Sequence, residues 1–508
     1  MAVIMPADHN IDIQTYRAAW FIGPNGAVPD ASIVIGQGRL LDVQSSRPPT
    51  AIDLGDVAIV PGLVNAHTHL EFSLLPAPIP TTGRFTDWIR SVVKYRREHP
   101  DIVAEAILAG IEQSLRCGTT LIGDIATTGW SMKDYRDGGF SGVVFQELLG
   151  LTDERVTSQL EVARKSNDTV WLGSSLRAPS SGPHPAGGGE VADPGHTAEF
   201  QTADPERRTP HPNPLPSRAR GEGTGTDTEP SHFRSTLHPS TLNPLPSTLN
   251  PLLGLSPHAP YSVHPELFRG AVELARQSGR PLAMHLAETE AELELLADGT
   301  GEFRELLEDF GLWRDGLFGG GKRPMQFLEA LAESPAPLIV HGNYLDDTEL
   351  RFLAARPHMT LVYCPRTHAA FGHREHPWRR LRELGGSVAI GTDSRASNPD
   401  LSVFAELQFL AERHPDVSHL ELLQLGTTNG RRALMGCDSE ADQPANFTVI
   451  RLSDPRFRDP ARDLFAPENH VVGTMISGGW HVHQTSRSPA FPKAGLLSGV
   501  HRLGGKSG

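Results

Sequence analysis

Over the first 58 residues, short apolar runs such as RAAWFI (17–22) and ASIVI (31–35) alternate with Gly and Pro breaks, a pattern that predicts β-strands. From residue 59 the texture changes to short apolar strands alternating with amphipathic helical stretches, the arrangement of a parallel sheet with helical crossovers. In one such unit Asp101, after Pro100, is placed to cap a helix in which Val103, Ile107, Ile111 and Leu115 recur at spacing four. Gly118 supplies the stop and TTLIGD (119–124) reads as the next strand. Similar units predict strands near 142–147, 252–257, 281–286, 337–342, 359–364 and 387–392. With the strand that ends at HTH (67–69) they make eight, which favours an α/β fold, a (β/α)8 TIM barrel with its reactive groups at the C-terminal ends of the strands. Beyond about 440, β texture returns in NFTVI (446–450) and HVVGTMISGGWHV (470–482). Segments 1–58 and 440–508 are therefore expected to combine into a small β-sandwich beside a barrel spanning 59–439.

Residues 178–252 interrupt this rhythm. They hold 14 of the 42 prolines, with NPLPS at 213 and again at 243, and STL followed by H/N and P at 235, 240 and 247. A segment so polar and repetitive cannot bury enough apolar surface to offset its ordering entropy, so disorder is expected. The similarity of WLGSS (171–175) before it to LLGLS (252–256) after it points to an in-frame insertion that leaves the core intact. A docking arm for a partner is the competing reading.

The net charge of −14, a pI near 5.9 and the lack of a Lys/Arg stripe give no support for nucleic acid or an anionic membrane as a partner, and leave small-molecule chemistry. Cys117, Cys364 and Cys437 are too scattered for a disulfide framework or a thiolate zinc cluster, so a reducing compartment is expected. No basic-then-apolar leader opens the chain and no run reaches the length of a membrane helix, so the expectation is a cytoplasmic protein.

Candidate chemistry gathers at predicted strand ends. In an extended strand alternate side chains share a face, so His67 and His69 point the same way. HLAE (285–288), HGN (341–343) and TDS (392–394) end later strands, and PHAP (257–260) follows another. A satisfied core histidine explains any one of these, but not all of them at one rim. His67, His69 and His285 offer imidazole nitrogens and Asp393 a carboxylate, a mixed set that suits Zn²⁺ or Fe²⁺ with a position left for water. Such a cation lowers the pKa of water toward about 7. Glu288, three residues past His285, is placed to shuttle a proton; Asp393 can accept one, and His341 can stabilise a tetrahedral centre. Cys364 reads as a packed thiol, while His368 and His373 read equally as substrate contacts or surface.

The motifs PGLVNAHTH, SPHAPYS, HLAET, VHGN and GTDS, in this order over residues 60–400, resemble the metal-dependent amidohydrolase superfamily, in its branch of aromatic deaminases and chlorohydrolases. The resemblance implies a barrel with a β-sandwich, metal ligands at His67, His69, His285 and Asp393, catalytic roles for Glu288 and His341, and a substrate contact at His258. It also implies a single metal, because the fourth strand, LLGLSPH, lacks the lysine that bridges two metals in binuclear members, and family habit points to a homodimer. HTHLEFS, FTDWIR and HLAET are most similar to deaminases of 6-aminodeoxyfutalosine, an adenine nucleoside of menaquinone biosynthesis. Its benzoate directs attention to Arg84, Arg90 and Arg177, and Glu71 and Glu147 are further candidates for substrate contact. Deamination of adenosine, S-adenosylhomocysteine or guanine and triazine dechlorination are the alternatives. A metal-free, non-catalytic relative that only binds is the reading from another class.

Overall fold

The structure, a computed structural model, describes residues 13–170 apart from 24, 25, 47 and 82, and residues 251–483 apart from 437–443 and 454–456. The expected insertion at 178–252 lies outside the described residues except at its last two positions, and Arg177 and Cys437 lie outside them entirely.

Five strands open the chain: β1 (Ile13–Gly23), β2 (Gly26–Gly36), β3 (Arg39–Ser45), β4 (Ile52–Asp53) and β5 (Val57–Pro61). The barrel strands follow as β6 (Leu63–His69), β7 (Thr119–Ala126), β8 (Gly142–Leu148), β9 (Leu252–Pro257), β10 (Leu282–Leu286), β11 (Pro337–His341), β12 (Thr360–Tyr363), β13 (Ser387–Ile390) and β14 (Asp393–Ser394). Last come β15 (Phe447–Arg451), β16 (His470–Ile476) and β17 (Gly479–His483).

The nine barrel strands form one parallel sheet in the order β13-β12-β11-β10-β9-β8-β7-β6-β14. Its two ends are consecutive in sequence, since only Gly391 and Thr392 separate β13 from β14. The pairing of Asp393 with Thr68 and of Ser394 with His69 therefore brings the sheet round upon itself, the closure of a TIM-type barrel. The expected eighth strand is present but broken. At the break, a Cβ on Gly391 would sit 2.9 Å from the His67 Cβ and 3.0 Å from the Cys364 Sγ, so only glycine lets this strand pass so close to the first one. Inside the barrel Val64, Ala66, Val143, Phe145, Ala283, Val340 and Val362 form a buried layer.

The helix in the unit read above runs Val103–Arg116 and buries Ile107, Ile111 and Leu115 as its periodicity predicts. Asp101 does not cap it: it lies in a 3-10 turn, Pro100–Ile102, and no side-chain cap bond is made there. Proline at the start of that turn begins the tight winding one turn early, which carries Asp101 past the capping position.

The terminal strands form a second sheet in the order β17-β16-β15-β5-β1-β2-β3, with β4 beside β1. Its N- and C-terminal halves meet edge to edge, because β5 pairs with β15 from Val57↔Arg451 to Pro61↔Phe447. Continuous pairing thus makes one sheet of the described strands, and it curls enough for Tyr16 of β1 to meet Trp480 of β17 edge to face at 5.5 Å. Tyr16, Ile33, Val449 and Met475 are among its buried residues. Because β5 belongs to this sheet, the chain enters the barrel at Gly62, where an added Cβ would meet the Thr120 Oγ1 at 2.1 Å.

Candidate active site at the barrel mouth

His67 and His69 do share a face of β6, with ring centroids 5.0 Å apart, as strand alternation requires. His285 ends β10 on the same rim. Its Nδ1–H donates to the His258 carbonyl at 3.0 Å, which leaves Nε2 as a bare lone pair. That Nε2 lies 3.3 Å from the His69 Nε2. The Asp393 Oδ1 stands 3.6 Å from the His67 Nε2 and 3.7 Å from the His69 Nε2. Donors around one cation at about 2.0–2.1 Å in a tetrahedral array stand roughly 3.4 Å apart, so the spacing fits a shared ion. The orphaned atoms agree: both ring nitrogens of His67 and the Nδ1 of His69 are buried with no hydrogen-bond partner. Such burial is costly unless something takes up the lone pairs. Burial, with neighbouring imidazoles adding to it, drives the pKa values of His69 and His285 well below the usual histidine value. Both therefore stay neutral, as metal ligation requires.

The remaining rim groups are held from behind. The Ser397 hydroxyl donates to the Asp393 Oδ2 at 2.6 Å, and the Thr68 hydroxyl donates to the Asp393 carbonyl at 2.8 Å. The Glu292 carboxylate accepts the backbone N–H groups of Ala287 and Glu288 at 2.9 and 3.0 Å, and the Asn343 amide donates to the Glu288 carbonyl. His376, whose Nδ1 accepts the Trp378 N–H, donates from Nε2 to the His341 carbonyl at 2.8 Å. These brackets matter because Ala287, His341 and Asp393 all have positive φ, of 53°, 67° and 55°, a conformation that costs a non-glycine residue free energy and marks built sites. Glu288 approaches the His341 Nε2 at 3.4 Å. Burial, reinforced by Asp393 and Glu292, raises the Glu288 pKa well above the usual range. His341 is pushed down to about 3, by burial against the opposing charge of Asp393. The site thus sets a carboxyl whose pKa burial raises beside an imidazole whose pKa burial lowers.

A cavity of about 320 Å³ opens onto this cluster. Its polar end is lined by His69, His258, His285, Glu288, His341 and Asp393, and its outer wall by Phe72, Phe85, Trp88, Ile89, Val92, Leu151, Leu306 and Phe310. A larger recess, about 870 Å³, lies at the other end of the barrel around Gly62 and Ser387. It holds none of the rim chemistry.

The expected substrate contacts divide. His258 lines the cavity, with its Nδ1 2.7 Å from the Ser262 hydroxyl and its Nε2 3.7 Å from the Glu147 Oε1. Glu71 and Glu147 are buried behind the cavity wall, joined through the Thr127 hydroxyl at 2.8 Å from each. Arg84 is a correction. Its guanidinium turns away from the cavity to Glu302 at 2.8 Å and Glu305 at 2.7 Å. Arg90 likewise pairs with Asp309 at 2.5 Å. Both respond to acidic residues on the helix Glu302–Asp309, more than two hundred positions away in sequence. Cys364 is a buried thiol whose pKa burial raises well above the usual value. His368, in the helix Pro365–Ala370 that follows β12, and His373, just beyond that helix, are half-buried and outside the cavity lining.

Three features escaped the sequence reading: Glu292, Arg155 at the cavity mouth, and Arg96. Arg96 had a visible signal. Phe85, Trp88, Ile89, Val92 and Arg96 recur at helical spacing on the helix Phe85–Glu98, so one charge sits on an otherwise apolar face.

The amidohydrolase family model matches residues 58–165 and 250–480, and the chain belongs to that family of metal-dependent hydrolases. Over 501 residues it is 24% identical to a 5-methylthioadenosine/S-adenosylhomocysteine deaminase of Nitratidesulfovibrio vulgaris, covering 93% of this chain and 91% of that one. It is 27% identical over 437 residues to an aminodeoxyfutalosine deaminase of Deinococcus radiodurans, covering 81% and 82%. A crystal structure of Helicobacter pylori aminofutalosine deaminase with methylthio-coformycin shares the fold at a TM-score of 0.68 and 19% identity, over 92% of this chain and 100% of that one.

Proposed function

We propose that the protein is a hydrolytic deaminase of an adenine-type nucleoside, with 6-aminodeoxyfutalosine as its substrate. The observation that carries the reading is one cavity whose lining brings the donor cluster and Glu288 together with aromatic and aliphatic side chains and Arg155. His67, His69, His285 and Asp393 would hold one divalent cation, zinc by this donor set with iron as the alternative. When bound, that cation supplies a water acidified toward neutrality and a positive charge near the developing oxyanion. The chain's own groups do the rest. Glu288 gives its proton to the ring nitrogen as water oxygen adds to the amino-bearing carbon. Asp393, whose Oδ2 is held by Ser397 while Oδ1 faces His67 and His69, accepts a water proton, and His341 donates a hydrogen bond to the new oxygen. The proton on Asp393 then passes to the amino group, the C–N bond breaks and ammonia leaves, while the added hydroxyl returns its proton to Glu288 and becomes the ring carbonyl.

The apolar wall suits an aryl substituent better than a zwitterionic amino-acid tail, and Arg155, for which no ion pair is seen among the described residues, stands where an acidic end of that substituent would emerge. Both the Deinococcus radiodurans relative and the Helicobacter pylori structure carry names that agree with this substrate. A methylthio group would also suit the wall, so 5-methylthioadenosine is the second reading, in line with the Nitratidesulfovibrio vulgaris relative. Ammonia release measured on 6-aminodeoxyfutalosine, 5-methylthioadenosine, S-adenosylhomocysteine, adenosine and guanine decides. Highest kcat/KM on 6-aminodeoxyfutalosine is expected. A preference for 5-methylthioadenosine of tenfold or more rejects the specific substrate, and silence on the whole panel rejects the class.

A further inference from the structure

Arg96 lines the cavity and is held there from several sides. Its Nε donates to the Glu71 Oε2 at 3.2 Å, and its Nη2 donates to the Glu71 Oε1 at 2.6 Å and to the Thr127 hydroxyl at 3.0 Å. The Nη2 also lies 3.7 Å from the Glu147 Oε2, and the guanidinium carbon stands 5.3 Å from the centre of the Phe72 ring. The planar fork is therefore fixed on one edge by a bidentate carboxylate and on one face by an aromatic ring. The other edge is different: Nη1 makes no hydrogen bond or ion pair among the described residues, while the side chain lines the cavity and keeps 25% of its surface exposed.

From this we infer that Arg96 is a specificity residue that donates, through Nη1, to an uncharged oxygen of the substrate, a hydroxyl of the sugar next to the base. The inference rests on the nucleoside reading above and deepens it. The charge balance selects the ligand group. The Arg96 guanidinium is already matched by its bidentate pair with Glu71, with Glu147 at 3.7 Å beside it, so a substrate carboxylate would find no unpaired charge there. A hydroxyl oxygen takes the donor without adding charge, and a base without a sugar leaves it unused. Position agrees: His258, which also lines the cavity, lies on the other side of Glu147, so Arg96 and His258 flank one shared anchor near the polar end. Glu71 and Glu147 are then positioning residues that aim Arg96 and His258, which explains how a buried Glu71 influences substrate choice without touching the cavity.

The test compares 5'-deoxyadenosine with its 2',3'-dideoxy counterpart on the metal-loaded full chain, in the wild type, Arg96→Met, Arg96→Lys and Glu71→Gln. Removing a charged donor to a hydroxyl should lower kcat/KM on the hydroxylated nucleoside by roughly 10- to 100-fold. The same substitution should change turnover of the dideoxy compound less than about threefold. Arg96→Lys, which keeps the charge and loses the fork, should recover only part of the loss, and Glu71→Gln should raise KM while kcat holds. Equal losses on both compounds, or none on either, overturn the assignment of Arg96 while leaving deamination standing. Thermal unfolding of each variant, read beside the kinetics, identifies a fold defect, which would lower both substrates together and count against the assignment. A wild type that turns over neither compound and none of the nucleosides of the panel above rejects the nucleoside reading itself.

Discussion

On the barrel rim, His67 and His69 sit two residues apart on one strand, and their direction follows from the strand's own alternation. On the helix just above it, Arg84, Arg90 and Arg96 belong to one short stretch yet meet three different surroundings. The first two reach outward to Glu302, Glu305 and Asp309, and the third turns inward to Glu71. The difference teaches that side-chain direction is local in a strand, whereas the partner of an arginine is whatever acid the fold brings near it.

Breaking the rim should have the largest effect. Replacing His285 by Ala should abolish bound metal, measured by elemental analysis of purified protein, and lower kcat by at least about 10³-fold. Full activity with no metal would undo the whole site. Glu288→Gln should retain the metal yet lose roughly 10²- to 10⁴-fold in kcat, because only the proton donor is gone. Next in size is Glu292→Gln. An amide has one acceptor oxygen for the two N–H groups that the carboxylate now takes, so a fall of about 10- to 100-fold in kcat with little change in KM is expected, in the range seen for groups that orient catalytic residues. A KM effect alone would place Glu292 outside the positioning role.

Asp124 sharpens the comparison through stability. Its carboxyl accepts the Leu70 N–H at 2.8 Å and the Tyr135 hydroxyl at 2.5 Å. Burial is the main cause that raises its pKa from 3.8 to about 8. Between these values the native state holds a proton that the unfolded chain has released, so the contribution of Asp124 to stability is fully present below pH 3.8 and is lost as pH rises toward 8. Asp124→Asn, which does not titrate, should flatten this fall in urea unfolding at pH 5 and pH 8; an unchanged slope would show that Asp124 does not contribute to it. Smallest of all should be the roof substitutions Arg84→Ala and Arg90→Ala. Their pairs are solvent-exposed and screened, so kcat on 6-aminodeoxyfutalosine should change less than about twofold; a large loss would return Arg84 to the substrate.

The rim was legible because its signals are short-range: HTH, HLAE, HGN and TDS each end a strand whose apolar run is visible in the chain, and the barrel follows from the alternation of such units. The break in the eighth strand was not legible, since nothing local distinguishes a strand through Gly391 from one interrupted there; the close approach of His67 requires it. The merged terminal sheet was hidden for a related reason. Period-two texture reveals strands but not whether β5 will meet β15 by its edge or its face. Arg96 was readable as a charge on an apolar face, but its partners on Glu71 and Glu147 were not.

The join between β6 and β14 has a consequence for how the protein is made. Asp393, the one carboxylate among the four candidate ligands, is also a backbone pairing partner of Thr68, across a separation of 325 residues. A chain still on the ribosome has the first two histidines early and the third later, but it has no seam and no fourth donor until residue 394 has emerged. Long-range closure of this kind is slow and comes late in folding. Capture of the ion at the complete site is accordingly a report that synthesis has passed the last barrel strand and that the ring of strands has shut.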